Sequence, residues 1–407
     1  MRPQRWIPLL IILLFLGLFL NVPALPTLTV SLMVVIGVAA WWRDRALKNI
    51  HYARRFHYTR AFPGETVEVR VDVENRKLMP VSWLRIRDSW PTAVGPTDEA
   101  ILAPMHIKGL GELINIFTLR WFERTRRRYE LTFRKRGVYS VGPTRLESGD
   151  LFGIYQDARA LDNREKLTVF PELANIDKLL LEAEDPFGNL KSRRQLFEDP
   201  NRPMGVREYR PEDEFRRVHW PATARTGELK VKVYQPTSEQ KVVVCLNAAT
   251  FPRHWEGVYP EMLEELIRVS ASVAYHGIND GYQVGLISNG TLSNSDQPFR
   301  ILPGSSTAHL AHVLRALAGV TPLVTAPFER FLMFEMPRIP YGASLVLITA
   351  LTTPELAETL MRIKTKGRRV TLVSLAKNAP PELPGINAVH LPFREDEQLE
   401  SIDGAAA

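Results

Sequence analysis

Asp213 and His219 stand close together in the run GVREYRPEDEFRRVHWPATARTGELKVKVY (205–234), where a carboxylate and an imidazole could form an acid–base pair. A hydrolase built on them would use one group to move the proton that the other orients. A structural ion-pair network competes with that reading, because Arg207, Arg210, Arg216, Arg217 and Arg225 supply enough cations for every nearby acid. His309 and His312 are spaced i,i+3 on a predicted helix, which permits a shared zinc ion, yet no third ligand is in view, so a surface or packing role is expected. Cys245 lies inside the apolar run VVVCL and reads as an inert core thiol. As the single cysteine it rules out an intramolecular disulfide and any multi-cysteine metal site. The chain has no Gly-x-x-x-x-Gly-Lys phosphate loop, no Gly-x-Ser-x-Gly elbow and no His-Glu-x-x-His. No catalytic residue and no cofactor are expected.

The element that must position this central stretch reads as a short helix, a turn and a strand. Pro211 suits a first helical position, and Glu212, Asp213 and Glu214 follow where a helix start favours negative charge. Glu212 with Arg216 and Asp213 with Arg217 are spaced i,i+4, acid first, the favourable order. Thr226 and Gly227 read as the turn, and Leu229, Val231 and Val233 alternate with Lys230, Lys232 and Tyr234 as in a half-buried strand.

With 407 residues and 45% hydrophobic side chains, the chain is long enough for two or three globular units. Its net charge of +7 suits a protein lying against an anionic membrane surface as well as one that binds nucleic acid, and equally one with no specific polyanionic partner. Ile7 to Leu20 and Leu28 to Ala40 are uncharged, separated by Asn21-Val-Pro-Ala-Leu-Pro-Thr27. With their flanking Trp6, Val22, Trp41 and Trp42, both approach the lower limit of about 17 residues for a bilayer span. Arg2 and Arg5 precede the pair, and Arg43, Arg45, Lys48, Arg54 and Arg55 follow it. The positive-inside rule then predicts a helical hairpin with both termini in the cytoplasm, multi-pass in the inner (plasma) membrane. A cleaved signal peptide is the competing reading, with Val22-Pro-Ala24 imitating a cleavage site; the second apolar run and its basic flank oppose it.

From about Ala53 to Pro171 the pattern has period two. Thr66 to Val73 alternates strictly, Val81 to Ile86, Leu113 to Leu119 and Tyr129 to Phe133 read as further strands, and turn signals such as Pro63-Gly64 and Gly142-Pro143 punctuate them. A β-sandwich is expected. Arg124, Arg126, Arg127, Arg128, Arg134, Lys135 and Arg136 concentrate charge there beside Trp121, Tyr129 and Phe133. No nucleic-acid motif accompanies them, so a solvated or lipid-facing sheet face is expected and no nucleic-acid partner. Phe170 to Met204, broken by Asp185-Pro186 and Asp199-Pro200, reads as a connector. Beyond it strands and helices alternate: Lys241 to Leu246, Glu261 to Tyr275, Tyr282 to Ser288, Thr307 to Leu317, Ser344 to Thr349, Pro354 to Lys366 and Arg369 to Leu375. That rhythm predicts a mostly parallel sheet with helices on both faces.

The run REYRPEDEFRRVHWPATARTGELKVK resembles the signature of the bacterial domain of unknown function 58 family, an Arg-Glu-Tyr-x-Pro-Gly-Asp-Asp core leading to His-Trp, Ala-Arg and a basic strand. Glu212 stands where the family has glycine and Glu214 where it has aspartate; glycine implies a backbone conformation that Glu adopts less readily, so the local turn is expected to differ. PGETVEVRVDVEN, RKRGVYSVGP and SGDLFGIY resemble the family's membrane-proximal region. The later αβ order resembles a von Willebrand factor A domain, a Rossmann-type fold. Such domains often hold magnesium on an Asp-x-Ser-x-Ser loop, a later Thr and a later Asp. Here those positions are Asn247, Ala249, Phe251, Thr307 and Ala350, too poor in oxygen for a hard cation, and no metal is expected.

The expected organisation is therefore two transmembrane helices (about 6–22 and 25–42) with their basic flank in 1–52, a membrane-proximal β-sandwich over 53–171 and a connector over 172–204. The signature segment (205–236), a von Willebrand factor A-like α/β domain (237–392) and a disordered tail (393–407) follow. A membrane-anchored, cytoplasm-facing scaffold or adaptor without catalysis is expected, working at the lipid bilayer with other membrane-associated proteins, and the resemblance implies a MoxR-type AAA+ ATPase as its partner. Its domain junction or protein-binding surface would be Arg207, Glu208, Tyr209, Arg210, Asp213, Arg217, His219, Trp220 and Arg225. An envelope or cell-wall assembly factor, and a hydrolase using Asp213 and His219, are the alternatives.

Overall fold

A computed structural model describes residues 7–20, 22–174, 197–210, 213, 215–237, 241–253, 255–293 and 295–393. Contacts divide the chain into two compact units, Met1–Phe170 and Pro171–Ala407.

The first unit begins with two apolar helices in mutual contact, α1 (Ile7–Phe19) and α2 (Ala24–Ala46). Pro26 falls in the first turn of α2, where its missing N–H costs no helical bond. Among the described residues α2 alone is long and apolar enough to cross a bilayer. Its 23 residues rise about 35 Å, against a hydrocarbon core of about 30 Å. The 13 residues of α1 rise only about 20 Å. The expected pair of spans is thus corrected to one N-terminal helix of spanning length; Trp6, Arg2 and Arg5, which the first span needed, lie outside the described residues.

Eleven strands follow in the first unit: β1 (Ile50–Phe56), β2 (Arg60–Ala61), β3 (Thr66–Asn75), β4 (Val81–Pro91), β5 (Leu102–Pro104), β6 (Leu110–Leu119), β7 (Arg124–Thr132), β8 (Gly137–Val141), β9 (Thr144–Gly149), β10 (Gln156–Leu161) and β11 (Glu165–Val169). They form sheets ordered β1-β3-β7, β10-β9-β4-β6-β5 and β2-β11-β8. Period-two alternation turns one face of each strand inward. Ile50, Tyr52, Val71 and Val73 from the first sheet share a core with Leu84, Ile86, Phe117, Leu119 and Leu146 from the second. Around Trp90, Val67, Val69, Leu113, Leu131 and Phe133 meet Leu167 and Val169 of the third.

The basic run on β7 lies against acids. Antiparallel register sets Asp72 opposite Arg126 and Glu74 opposite Arg124. Asp72 accepts from Arg126 Nε at 2.8 Å and Arg124 Nη2 at 2.9 Å, while Arg127 turns inward to Asn115 Oδ1 at 2.8 Å, its guanidinium 4.4 Å from the Phe117 ring centre. Opposite charges across a strand pair stabilise the sheet. Deeper in the unit, Arg54 and Asp88 form an ion pair with both side chains 0% exposed.

In the second unit a two-stranded antiparallel ribbon, β12 (Phe197–Glu208) and β13 (Lys230–Thr237), flanks α3 (Trp220–Thr226). Strand β12 begins inside the stretch expected to be a connector; residues 175–196 and the expected tail beyond 393 lie outside the described residues. The main sheet runs β16-β15-β14-β18-β19-β20, with β17 also paired to β15. Its strands are β14 (Lys241–Leu246), β15 (Gln283–Leu292), β16 (Ser295–Gly304), β17 (Val320–Val324), β18 (Ser344–Thr349), β19 (Val370–Ser374) and β20 (Asn387–His390). Strands β14, β15, β18, β19 and β20 are parallel, and β16 and β17 return antiparallel on β15. Helices α6 (Phe328–Glu335) and α7 (Pro354–Thr365) bury Phe331, Leu332, Leu356 and Leu360 against Val243, Cys245, Leu345 and Leu347. Helices α4 (Pro260–Asn279) and α5 (Thr307–Ala318) contact each other, and α4 contacts β14, β15 and β18.

Candidate functional site

The ribbon carries the signature residues. Expected over 211–217, the helix is displaced towards the C-terminus: Phe215–Arg217 is a single 3-10 turn and α3 starts at Trp220. The reason is local. His219 caps α3, its Nδ1 accepting from Ala222 N at 3.0 Å; Pro221 lies in the first turn, and Gly227 closes the helix at φ 74°, a left-handed conformation that glycine adopts without strain. Pro211, Glu212, Glu214 and the Arg216 side chain lie outside the described residues, and with them the expected Glu212–Arg216 pair. Asp213 reaches across to β12. Its oxygens take both guanidinium nitrogens of Arg207, at 2.7 and 2.5 Å, and Arg210 N at 2.9 Å. Those bonds, Arg207's first, hold its carboxyl below the usual aspartate range.

Glu208 faces Lys230 in the ribbon register, and Lys230 Nζ lies 3.5 Å from its carboxylate. Tyr209 N donates to Leu229 O at 2.9 Å. Arg217 ends the 3-10 turn, and Arg225 is exposed in the last turn of α3. Asp213 and His219 thus each hold a local element, a β12 guanidinium and a helix start. Phe215, which sequence reasoning did not single out, stands between two residues that it did. Its ring meets Tyr209 edge-on at 6.3 Å and Trp220 at 5.9 Å. Phe215 and Trp220 are 59% and 58% exposed. An aromatic every five or six positions on a charged stretch was the signal for this group. Arg207 and Asp213 border it through Tyr209 and Arg210, joining apolar area to fixed charge as protein-binding surfaces do.

The second candidate lies where the chain, having run from β14 to β15, crosses back to β18 on the other side of β14. Open parallel sheets receive ligands at the carboxyl ends of strands around such a reversal. Here neutral side chains fill it. Asn247 Nδ2 donates to Thr349 Oγ1 at 3.0 Å, and Asn289 Nδ2 donates to Asn247 Oδ1 at 3.1 Å. Asn289 Oδ1 accepts from Ala248 N at 2.9 Å, and Asn247 Oδ1 also accepts from Ala249 N at 3.1 Å. All of this is buried, as is Ala350, whereas Phe251 is exposed. Asn289 and Thr349 were missed, although each is a polar residue in an apolar strand.

Thr307 sits elsewhere. Strand β16 runs antiparallel and brings Gly304 beside Val284 at the amino end of β15, so Thr307, opening α5, stands at the opposite end of the sheet from Asn247. His309 Nε2 lies 2.7 Å from Val284 O, and its ring meets His312 edge-on at 6.5 Å. Cys245 is fully buried, and burial pushes its thiol pKa up. Among the described residues no three His, Cys, Asp or Glu side chains converge as metal ligands would.

Residues 205–406 match the family described as protein of unknown function DUF58. The chain is 23% identical over 341 residues to the uncharacterized protein YeaD of Bacillus subtilis, covering 83% of this chain and 78% of that one. Among solved structures, the CARDB domain of the PF1109 protein from Pyrococcus furiosus is 12% identical and covers 30% of this chain and 91% of its own, at a TM-score of 0.20. The sporulation control protein Spo0M of Bacillus subtilis is 17% identical and covers 34% of this chain and 55% of its own, also at 0.20. Scores that low carry no argument.

Proposed function

We propose that this protein is a non-catalytic scaffold or adaptor, anchored in the plasma membrane by α2 with the chain beyond that helix in the cytoplasm, and that it works with a MoxR-type AAA+ ATPase in assembling or activating protein complexes. On this reading the first unit is a membrane-proximal β-sandwich and the second a von Willebrand factor A-like domain that binds protein without metal. The basic end of α2 supports the orientation, since Arg43 and Arg45 in its last turn and Lys48 just beyond it follow the apolar run directly. The observation that carries the proposal is the edge-to-face row Tyr209, Phe215 and Trp220, the last two exposed, beside the Arg207–Asp213 pair, within the segment that matches the family. Apolar rings held in water by a rigid charged ribbon favour a protein partner over a packing role.

The test is affinity capture of the full chain from mild-detergent membranes, wild type against Phe215→Ser and Trp220→Ser. An AAA+ ATPase should be retained by the wild type and lost by both variants. Its absence from the wild-type capture would overturn the partner, and equal retention by the variants would overturn the surface.

A further inference from the structure

Three loops of the first unit converge on the carboxyl end of α2. In the β3–β4 loop, Lys77 Nζ donates to Arg45 O at 2.7 Å, to Lys48 O at 2.8 Å and to Ala46 O, clamping the loop to the carbonyls at the end of the helix. Arg76 N adds a bond to Asn49 O at 2.9 Å. The β6–β7 turn rests on this loop through Phe122 N to Lys77 O at 3.2 Å, Asn75 N to Glu123 O at 2.9 Å and Asn75 Nδ2 to Arg120 O at 2.8 Å. On another side the β9–β10 turn meets the helix. Tyr155 lies with its ring centre 4.9 Å from the Arg43 guanidinium, and Asp150 holds that turn by accepting from Tyr155 N at 3.0 Å.

These tips are apolar where loops are usually polar. Leu78 is 75% exposed and Phe122 65%, and Trp121, Leu151, Phe152 and Ile154 also stand in solvent. Phe122 has φ 50°, a left-handed conformation uncommon for a bulky residue. Three loops distant in sequence bring large apolar side chains to one helix end, which single exposed residues scattered over a surface would not do.

We propose that Leu78, Trp121, Phe122, Leu151, Phe152 and Ile154 form a collar that inserts into the headgroup layer of a phospholipid bilayer around the emerging end of α2. The inference rests on reading α2 as a bilayer span. A span ending near Trp41 and Trp42 puts the water–lipid boundary at that turn, and the Lys77 clamp fixes the loops to the same level. Trp favours this layer and Phe and Leu bury themselves at its acyl boundary, while Arg43, Arg45, Arg76 and Arg120 supply the cations that anionic headgroups attract. The contact with lipid is thereby assigned to the loop tips rather than to the β7 face, where Arg124 and Arg126 have acids opposite them.

The experiment uses the full chain in vesicles of phosphatidylcholine and phosphatidylglycerol, with an environment-sensitive fluorophore on single introduced cysteines; buried Cys245 stays unlabelled, which the wild-type chain verifies. Phe122→Cys and Phe152→Cys probe the collar, Val34→Cys the middle of α2, and Lys135→Cys the other end of the β3–β7 pair. The label at 34 should be quenched by deeply brominated lipid, those at 122 and 152 by shallow quenchers with a blue-shifted emission, and that at 135 by neither. If 34 is quenched but 122 or 152 behaves like 135, the collar is overturned and the span stands. If 34 is not quenched, the span reading fails and the collar with it.

Discussion

Replacing Arg54 with methionine should destabilise the first unit by about 3–5 kcal/mol, the cost of leaving a buried charge without its partner. The guanidinium is 3.3 Å from Asp88 and 2.8 Å from Glu165. At an effective dielectric of about 20 those separations are worth about 5 and about 6 kcal/mol of gross attraction, most of it offset by desolvation. Glu165 is 34% exposed, so water screens its share, and the outcome is decided at Asp88, 0% exposed. Without Arg54 that carboxylate keeps only the hydroxyls of Tyr52 and Thr144, and the carbonyls of Val141 and Asn163 each lose a donor. Asp88→Asn should cost less, since its Oδ1 still accepts from one hydroxyl, its Nδ2 can donate to the oxygen of the other, and Arg54 is left with Glu165; in Arg54→Met/Asp88→Asn much of the single-variant loss should return. Hydrogen exchange of the β4 core amides, followed in the full chain in nanodiscs, reads this opening free energy directly. Burial pushes the Asp88 carboxyl up and Arg54 opposes it. An acid raised above its ordinary 3.8 binds its proton more tightly folded than unfolded, so between that value and the folded one stability falls as pH rises. Removing Arg54 extends the window upward. The Arg54→Met deficit should therefore be greatest at neutral and alkaline pH and shrink towards 3.8. Exchange as slow as wild type, or a deficit that grows on acidification, would refute the reasoning.

Hydrogen bonds from Arg126 and then Arg124 hold Asp72 below its ordinary 3.8, so its contribution is full above that value and disappears as pH falls through the depressed folded one. Asp72→Asn should accordingly lower Tm at neutral pH and converge with wild type in acid; a gap unchanged under acid conditions would assign the effect to packing. Titration of the full chain with Mg²⁺ or Mn²⁺ by calorimetry should give no saturable heat, because Asn247 has its amide spent on Thr349, Asn289 and Ala249. Micromolar binding would refute that.

Elements whose pattern has a single physical cause were legible in the sequence. Lys241–Leu246 and Ser344–Thr349 are strands over the expected residues, since a strand covered on both faces reads as a short continuous apolar run, here Val242 to Leu246 and Leu345 to Ile348. Thr66 to Val73 alternates because one face is core, and β3 follows it. Where two demands compete, the pattern broke. Strand β4 continues past Ile86 to Pro91, but inward-facing Asp88 interrupts the apolar alternation that would have announced it. Strand β16 reads as loop because Pro298 and Pro303 lie in it, and it survives as a strand because it is an edge, where a missing N–H breaks no ladder. Missing β16 misplaced Thr307, since the antiparallel return carries the chain to the other end of the sheet before α5 begins.

The signature failed differently. Its acids and arginines match an i,i+4 helix, but the same charges match a ribbon in which Asp213 reaches back six residues to Arg207, and the bidentate pair at 2.5 Å fixes the latter. Once Asp213 is drawn to β12, the chain from Phe215 must turn tightly, and His219 becomes the first residue free to start a helix. Its ring nitrogen then accepts the Ala222 N–H in the first turn, and Trp220 and Phe215 are left on the outside of the turn. The exposed aromatic row is therefore a consequence of the Arg207–Asp213 pair, which ties the charge pattern to the recognition surface.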